Sequence, residues 1–241
     1  MHNKDNPNYR LYLAGIITES QYREDAEERK TIFVLVGPPA VGKSTWIKET
    51  FRDEQPYIIN RDSIAEEVAR GMGMTYDDMF SAPPEGSIEG SKDGKYGTVV
   101  KSPPSVPWQS LSYSKILAAN SSINGQLKGK MAGAATSGRD IVVDMTNMTA
   151  RARSQALSAV AGKDEMFRKV AVVFPFEGAE EVIQKIAFKR SREIKFQGGS
   201  KTIPPEVLER MMRSFEKVSN DEGFDDVVNV DNREKLRMLS R

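Results

Sequence analysis

A short apolar run, Thr31 to Val36 (TIFVLV), leads directly into the glycine-rich sequence GPPAVGKS at residues 37–44. Continuous apolar, β-branched runs of this length are typical of parallel strands that are covered on both faces. The glycine-rich sequence matches the pattern G-x-x-x-x-G-K-[ST], and a helical pattern follows it. Strand, loop and helix in this order predict a phosphate-binding loop.

The backbone of this loop and two of its side chains explain why the pattern favours a nucleoside triphosphate. Gly37 and Gly42 permit backbone torsions and close approaches that a side chain would block. Successive N–H groups and the N-terminus of the next helix then cradle the β-phosphate. Lys43 bridges the β- and γ-phosphates, and the Ser44 hydroxyl ligates magnesium. The predicted cofactors are ATP and Mg²⁺, and the predicted contact residues are Gly37, Pro38, Pro39, Ala40, Val41, Gly42, Lys43, Ser44 and Thr45.

Four similar apolar runs follow the first one, and helical patterns separate most of them. The predicted strands cover residues 31–36, 57–60, 140–144, 169–174 and 226–230. The predicted helices cover residues 44–51, 63–70, 111–135, 151–161, 179–196 and 205–217. Strands that alternate with helices imply βαβ units, so the predicted fold class is α/β, with a doubly wound, five-stranded parallel sheet flanked by helices.

Composition limits the chemistry that such a sheet can support. The 241 residues include no cysteine and a single histidine, His2, so thiolate nucleophiles, cysteine-ligated metals and histidine-based triads are excluded. Any catalysis must use carboxylates, lysine, arginine, hydroxyls or a magnesium ion. The chain has no apolar run of membrane-spanning length and no apolar signal region, so a cytoplasmic protein without membrane contact is predicted.

Polar residues follow the second and third predicted strands. Arg61 and Asp62 come just after YIIN, on the side where open α/β sheets bind their ligands. The Asp62 carboxylate can accept the proton of an attacking hydroxyl, and it can also cap the next helix. Histidine-free phosphoryl transfer favours the first role. Asp144 lies where P-loop enzymes place an acidic residue beside magnesium or substrate, whereas Asn147 can cap the following helix.

Residues 185–201 carry six basic side chains against one acidic side chain. A run of this kind is commonly a solvated helix face. Here it lies on a predicted helix that ends in the pair Gly198 and Gly199, which fits a lid that closes on a triphosphate. Arg190, with Arg192 close by, is the predicted arginine that neutralises charge on the transferred phosphoryl group.

Five sequence segments in this order resemble the kinase domain of phage-type polynucleotide 5′-hydroxyl kinases. They are GPPAVGKSTW, NRD, D-x-TN, KRSR and IPPEVLERMMRSF, and the resemblance covers residues 31–218 apart from residues 81–107. The roles that the resemblance implies are triphosphate and magnesium binding by Lys43 and Ser44, general base catalysis by Asp62, lining of the acceptor channel by Asp144 and a lid function for Arg190.

The chain departs from that family pattern in two ways. The family typically has an arginine three residues after the catalytic aspartate, and this chain has Ala65. Either Arg61, Arg151 or Arg153 takes its place, or the acceptor differs from an ordinary polynucleotide end. The D-x-D-G-T motif of the phosphatase partner domain is absent from the sequence, so kinase activity alone is expected.

The sequence is therefore interpreted as an ATP-dependent, polynucleotide kinase-like phosphotransferase whose partner is the 5′-hydroxyl end of DNA or RNA. Other acceptors fit the same chemistry: a hydroxymethylated base in DNA, a nucleoside, or a sugar nucleotide as in zeta-toxin-like kinases. A nucleotide-gated binding module without an acceptor is the alternative from another class. The predicted substrate-binding residues are Arg61, Asp144, Asn147 and Arg151.

The predicted domain organisation follows the same interpretation. A helical extension over residues 1–30 precedes a P-loop kinase domain over residues 31–241. Within that domain, residues 81–107 are rich in Gly, Pro and Ser and are predicted to form a flexible insertion. Residues 185–201 are predicted to form the lid.

Overall fold

The computed structural model describes residues 29–80, 107–196 and 201–232. The predicted helical extension over residues 1–30 lies almost entirely outside these residues, as does nearly all of the predicted insertion at 81–107. The pair Gly198 and Gly199 also lies outside the described residues.

Five strands form one parallel sheet in the order β2-β3-β1-β4-β5. They are β1 Lys30–Val36, β2 Tyr57–Ile59, β3 Ile141–Val143, β4 Phe167–Val173 and β5 Asp226–Asn229. The central strand β1 pairs in parallel with β3 on one side and β4 on the other, so Phe33 lies between Val142 and Val170. The predicted doubly wound parallel sheet is confirmed, with strand ends that shift by one or two residues.

Seven α-helices accompany this sheet within the described residues. They are α1 Lys43–Thr50, α2 Arg61–Gly71, α3 Tyr76–Phe80, α4 Pro107–Ala134, α5 Ala150–Leu157, α6 Glu180–Phe196 and α7 Pro205–Arg213. The helix predicted over residues 151–161 ends earlier, because a 3-10 turn, Ser158–Val160, replaces its last turn. The prediction of a helix to residue 217 is also wrong, since α7 ends at Arg213.

Two apolar layers cover the two faces of the sheet. On one face, Phe33 makes edge-to-face contacts with Trp46 and Phe51 of the segment around α1. On the other face, Ile32 and Val34 pack with the buried residues of β2, β3 and α5. Because both faces of β1 are buried, the loop that leaves its carboxyl end has a rigid base.

A third apolar cluster joins α2 to α4. It includes Ile64, Ala65 and Val68 of α2, and Ala119 and Ile123 of α4. This contact fixes the orientation of α2, which begins at the carboxyl edge of the sheet. Among the described residues, no helix combines the length and the apolar character that a membrane crossing requires.

Candidate active site

The loop between β1 and α1 is held tightly against the sheet. The Gly37 N–H donates to the Thr146 carbonyl oxygen over 3.0 Å, which joins the loop to the end of β3. A Cβ atom added at Gly37 would lie 3.1 Å from side-chain carbons of Phe174 and Val41, so a larger residue is excluded unless neighbours shift. Gly42 has a φ of +110°, a conformation that L side chains rarely adopt.

The loop and the start of α1 present hydrogen-bond donors. Gly42 is the N-cap of α1 and has no side chain with which to bond the first N–H groups of the helix. Such N–H groups and the helix dipole favour an anion. Ser44 and Thr45, in the first turn of α1, are exposed. The arrangement can therefore accept phosphate oxygens from several backbone and side-chain donors.

Lys43 lies within this loop, and its ammonium group donates to the carbonyl oxygens of Gly37 and Pro38, each over 2.8 Å. Burial lowers the pKa of Lys43 to about 8, although the nearby carboxylates of Asp144 and Asp62 raise it. The lysine is thus still cationic at neutral pH, and two acidic residues from the carboxyl edge of the sheet act on it electrostatically.

An asparagine connects the ends of β2 and β3. The Asn60 side-chain amide donates to Asp144 Oδ2 over 2.7 Å. Its oxygen accepts the Ser63 N–H over 2.9 Å, which makes Asn60 the N-cap of α2. Burial raises the pKa of Asp144, while the Lys43 charge and the Asn60 hydrogen bond lower it. Because Asn60 caps α2, the Asp62 carboxylate is not the N-cap of the helix that follows it.

Asp62, the second residue of α2, contacts two groups that the sequence analysis did not identify. The Tyr76 hydroxyl donates to Asp62 Oδ1 over 3.1 Å, and the Lys201 ammonium lies 3.0 Å from Oδ2. The Asp62 side chain is 50% exposed, so a hydroxyl group can approach it from solvent. Lys201 also pairs with Glu66, one turn further along α2, over 3.0 Å.

The predicted substrate residue Asn147 is buried and contributes to the fold. Its amide donates to the Leu35 carbonyl oxygen over 2.8 Å and so ties the end of β3 to β1. The prediction that Asn147 caps the next helix is wrong, because Thr149 is the N-cap of α5 and accepts the Ala152 N–H. Arg61 is partly buried at the start of α2, and Arg151 is exposed on α5.

Arg153, one of three predicted substitutes for the family arginine, is fully buried in an ion pair. Its guanidinium group makes two hydrogen bonds to Glu222, over 2.6 and 2.7 Å. It also donates to the carbonyl oxygens of Asn147 and Met148. Because its guanidinium group makes these contacts, Arg153 stabilises the fold and is not available to bind an acceptor. Ala65, at the position of the family arginine, is likewise fully buried, in the cluster between α2 and α4.

The predicted lid arginines, Arg190 and Arg192, are exposed on the second half of α6. The cation that the structure places against Asp62 is Lys201, at the end of the same basic run. Sequence reasoning grouped Lys201 with the lid but had no signal that it contacts α2. The Tyr76 contact was missed because the short helix α3 lacks a periodic apolar pattern.

The oxygen donors of the site suit a magnesium ion that is shared with a nucleotide. Within residues 29–80, 107–196 and 201–232, no group of three or more histidine, cysteine, aspartate or glutamate side chains could hold a metal by itself. Mg²⁺ commonly takes one or two protein oxygens and completes its shell with phosphate oxygens and water. The exposed Ser44 hydroxyl and the phosphates of a bound nucleotide are donors of this kind.

The central strand, its phosphate loop and the carboxylates at the same sheet edge define a P-loop domain of the NTPase and kinase class. The model of the AAA domain family named AAA_33 matches residues 32–218, and the chain belongs to this family. Members of this class generally use ATP and Mg²⁺. No curated protein matches the chain.

Two solved structures are similar to this chain at low identity. One is a candidate kinase from Chloroflexus aurantiacus J-10-fl, with 14% identity and a TM-score of 0.45, covering 89% of this chain and 93% of that one. The other comes from the PezAT chromosomal toxin–antitoxin system of Streptococcus pneumoniae. It has 9% identity and a TM-score of 0.41, and covers 100% of this chain and 96% of that one. Because both TM-scores are below 0.5, neither structure informs the function of this chain.

Proposed function

We propose that this protein transfers the γ-phosphoryl group of ATP to a hydroxyl group of a nucleic acid, with the 5′-hydroxyl end of DNA or RNA as the acceptor. The position of Asp62 carries the proposal. Its carboxylate is partly exposed and does not cap α2. It also lies close enough to Lys43 to raise the pKa of that lysine. A general base near a phosphate-binding lysine is what histidine-free phosphoryl transfer requires.

In the proposed reaction, the loop amides and Lys43 hold the β- and γ-phosphates in place. The acceptor hydroxyl attacks the γ-phosphorus in line and forms the new P–O bond. The bond between the γ-phosphorus and the β–γ bridging oxygen breaks, and ADP leaves. Asp62 takes the proton of the hydroxyl. A bound Mg²⁺, held by Ser44 and the phosphates, would supply positive charge against the β- and γ-oxygens.

The remaining site assignments form part of the same proposal. Asp144, whose carboxylate accepts the Asn60 amide, is proposed to line the acceptor channel. Arg61 and Arg151 are retained as candidates for acceptor binding, and Arg190 and Arg192 as lid residues that contact the triphosphate. The proposed role of Asn147 is indirect, because its amide holds the end of β3 that carries Asp144.

A second acceptor class is favoured by the environment of Ala65. This side chain is fully buried between α2 and α4, so α2 presents no cation at that position to a phosphate next to the acceptor hydroxyl. A hydroxymethylated base, a nucleoside or a sugar nucleotide would need such a cation less, because its acceptor hydroxyl has no phosphate directly beside it. A nucleotide-gated binding module without any acceptor is the candidate from another class.

Incubation with γ-labelled ATP and a panel of DNA and RNA molecules tests the acceptor. The panel contains matched molecules with free and blocked 5′ ends, and a parallel set of nucleosides and sugar nucleotides. Label on free 5′ ends alone supports the main proposal. Label that persists on blocked molecules indicates a base acceptor, and label on small molecules alone indicates the second class. Nucleotide binding without any labelled product supports the binding module.

The variant Asp62→Asn tests the base assignment. The amide keeps the size of the carboxylate and one acceptor oxygen but cannot take the proton of the hydroxyl, so transfer should fall by about 100-fold or more. ATP affinity should stay within a few-fold of the unmodified protein. Asp164→Asn is the matched control, because Asp164 is similarly exposed, at 57%, but lies just before β4 at the opposite edge of the sheet. Near-normal transfer by Asp62→Asn would refute the assignment.

A further inference from the structure

Both oxygens of Asp62 are engaged by side chains that come from other parts of the chain. Oδ1 accepts the Tyr76 hydroxyl over 3.1 Å, and Oδ2 lies 3.0 Å from the Lys201 ammonium. We infer that Tyr76 and Lys201 are positioning residues, which together hold the Asp62 carboxylate in the orientation that receives the proton of the acceptor hydroxyl. This inference rests on the proposed function.

The two contacts leave room for the acceptor. An ionised carboxylate offers about four lone-pair sites on its two oxygens, and the two contacts use one on each. An unsupported aspartate that is half exposed would sample several rotamers, and only some of them would point toward the γ-phosphate. Two donors, one on each oxygen, restrict the carboxylate to one orientation. Holding a catalytic group in the reactive orientation lowers the activation barrier, because no further ordering is needed when the reaction occurs.

Tyr76 is suited to act as a permanent donor to Asp62. It lies at the start of α3, and its side chain is partly buried. Burial raises the pKa of the Tyr76 hydroxyl, and the neighbouring Asp62 charge and hydrogen bond raise it further. The phenol therefore keeps its proton at neutral pH and donates a hydrogen bond to Oδ1.

Lys201 is held in place by three groups. Its ammonium group pairs with Asp62 and Glu66 on one face of α2, and lies 5.2 Å from the centroid of the Tyr76 ring. Burial lowers the pKa of Lys201, but the charges and hydrogen bonds of Asp62 and Glu66 outweigh burial and leave the pKa raised. Lys201 therefore carries its charge throughout the neutral range.

The backbone next to Lys201 is also anchored to α3. The Thr202 N–H donates to Asp77 Oδ1 over 2.8 Å, and the Thr202 hydroxyl donates to Oδ2 over 2.7 Å. Asp77 follows Tyr76 in the chain, so the two positioning residues come from segments that are bonded to each other. This link explains how a residue so distant in sequence reaches α2 with a defined geometry.

The charged and titratable groups around Asp62 come from several elements. They are Arg61 and Glu66 on α2, Tyr76 on α3, Lys43 in the phosphate loop, Asp144 after β3, and Lys201. Of these groups, Tyr76 and Lys201 contact the Asp62 carboxylate directly. A charged donor makes a stronger hydrogen bond to a carboxylate than a neutral donor does, so loss of Lys201 should impair transfer more than loss of the Tyr76 hydroxyl.

The test compares Tyr76→Phe, Lys201→Met and Lys201→Arg in the full chain, with the acceptor identified from the labelled panel. We expect kcat to fall about tenfold for Tyr76→Phe and about 100-fold for Lys201→Met, with KM for ATP within about twofold. Lys201→Arg keeps the charge and should recover most of the loss. Tyr57→Phe and Lys169→Met are the controls, since these residues lie near the amino ends of β2 and β4, and both variants should keep normal kcat.

The outcomes separate this inference from the proposed function. Normal kcat for Tyr76→Phe and Lys201→Met, together with loss of transfer in Asp62→Asn, would overturn the inference and leave the function intact. Near-normal transfer in Asp62→Asn would instead overturn the base assignment itself. If thermal melting shows that Lys201→Met is unfolded, Tyr76→Phe decides the question, because it removes a single oxygen atom from a partly buried ring.

Discussion

Lys43 shows how one side chain balances two opposing influences. Burial within the phosphate loop lowers its pKa to about 8, while Asp144 and Asp62 limit the decrease. Its ammonium group meanwhile bonds to two carbonyl oxygens of the same loop. A bound phosphate would add negative charge next to this group and stabilise its protonated form.

This balance predicts that the affinity for ATP depends on pH. Below pH 8 the lysine is already protonated, so binding requires no proton. Above pH 8 the free protein has lost the proton and must take it up on binding, and the affinity should therefore fall by up to about tenfold per pH unit. Titration with a fluorescent ATP analogue between pH 7 and pH 9.5 measures the effect.

Lys43→Met provides the control for this prediction. The variant should bind more weakly at pH 7 and should lose the decline in affinity above pH 8. An affinity that is constant from pH 7 to pH 9.5 in the unmodified protein would contradict the prediction, as would an identical decline in the variant.

Among the larger elements, α5 is connected to the segment after α7 through a buried ion pair. Arg153 of α5 is fully buried, and Glu222 belongs to the 3-10 turn Asn220–Glu222. Arg153 also bonds the carbonyl oxygens of Asn147 and Met148, in the connection that follows Asp144. The ion pair therefore holds the polypeptide that leaves the candidate acceptor side of the sheet.

We predict that Glu222→Gln destabilises the fold by about 3 kcal/mol, because it leaves the buried Arg153 charge without a counter-ion. Urea unfolding followed by circular dichroism measures this loss. Glu209→Gln is the matched control, since Glu209 forms an exposed pair with Arg213 one turn further along α7, and such pairs contribute less than about 1 kcal/mol. Equal losses in the two variants would show that the buried pair has no special importance.

The sequence predicts secondary-structure elements best where the signals for neighbouring elements are local. The β1 run, the phosphate loop and α1 follow each other directly, and each has a distinct signal. The short helix α3 has only five residues and no periodic apolar pattern, so the sequence did not predict it. The cap of α2 was also missed, because Asn60 reads as the last residue of a strand and Asp62 as an equally good cap.

For the whole molecule, the alternation of strands and helices was sufficient to predict the parallel sheet and the edge at which the candidate site forms. The contacts that complete the site were not predictable in this way. Lys201 lies between α6 and α7, and no spacing rule predicts that it contacts Asp62 and Glu66 of α2. Arg153 read as a free cation, and only the packed structure shows that Glu222 neutralises it.

The edge of the sheet opposite the candidate site depends on Asp140. Its carboxylate accepts the Thr31 N–H over 2.8 Å, and its carbonyl oxygen accepts the Tyr57 N–H over 2.7 Å, so it joins the starts of β1, β2 and β3. Burial raises the pKa of Asp140, although the Thr31 hydrogen bond opposes the change. The folded protein therefore binds this proton more tightly than the unfolded chain does.

This raised pKa predicts how the contribution of Asp140 to the free energy of unfolding depends on pH. Ionisation costs more in the folded state, so the Asp140 contribution to stability falls as pH rises from about 3.9, the value for an unfolded aspartate, to the folded pKa.

Asp140→Asn can keep the bond to Thr31 but does not ionise. Its unfolding free energy relative to the unmodified protein should therefore increase from pH 4 to pH 7.5 in urea titrations. Asp164→Asn should stay nearly constant over this range, because the Lys169 hydrogen bond and charge lower the pKa of Asp164 and place its stability change below about pH 4. A loss of stability in Asp140→Asn that grows with pH would mean that the ionised carboxylate stabilises this edge of the sheet.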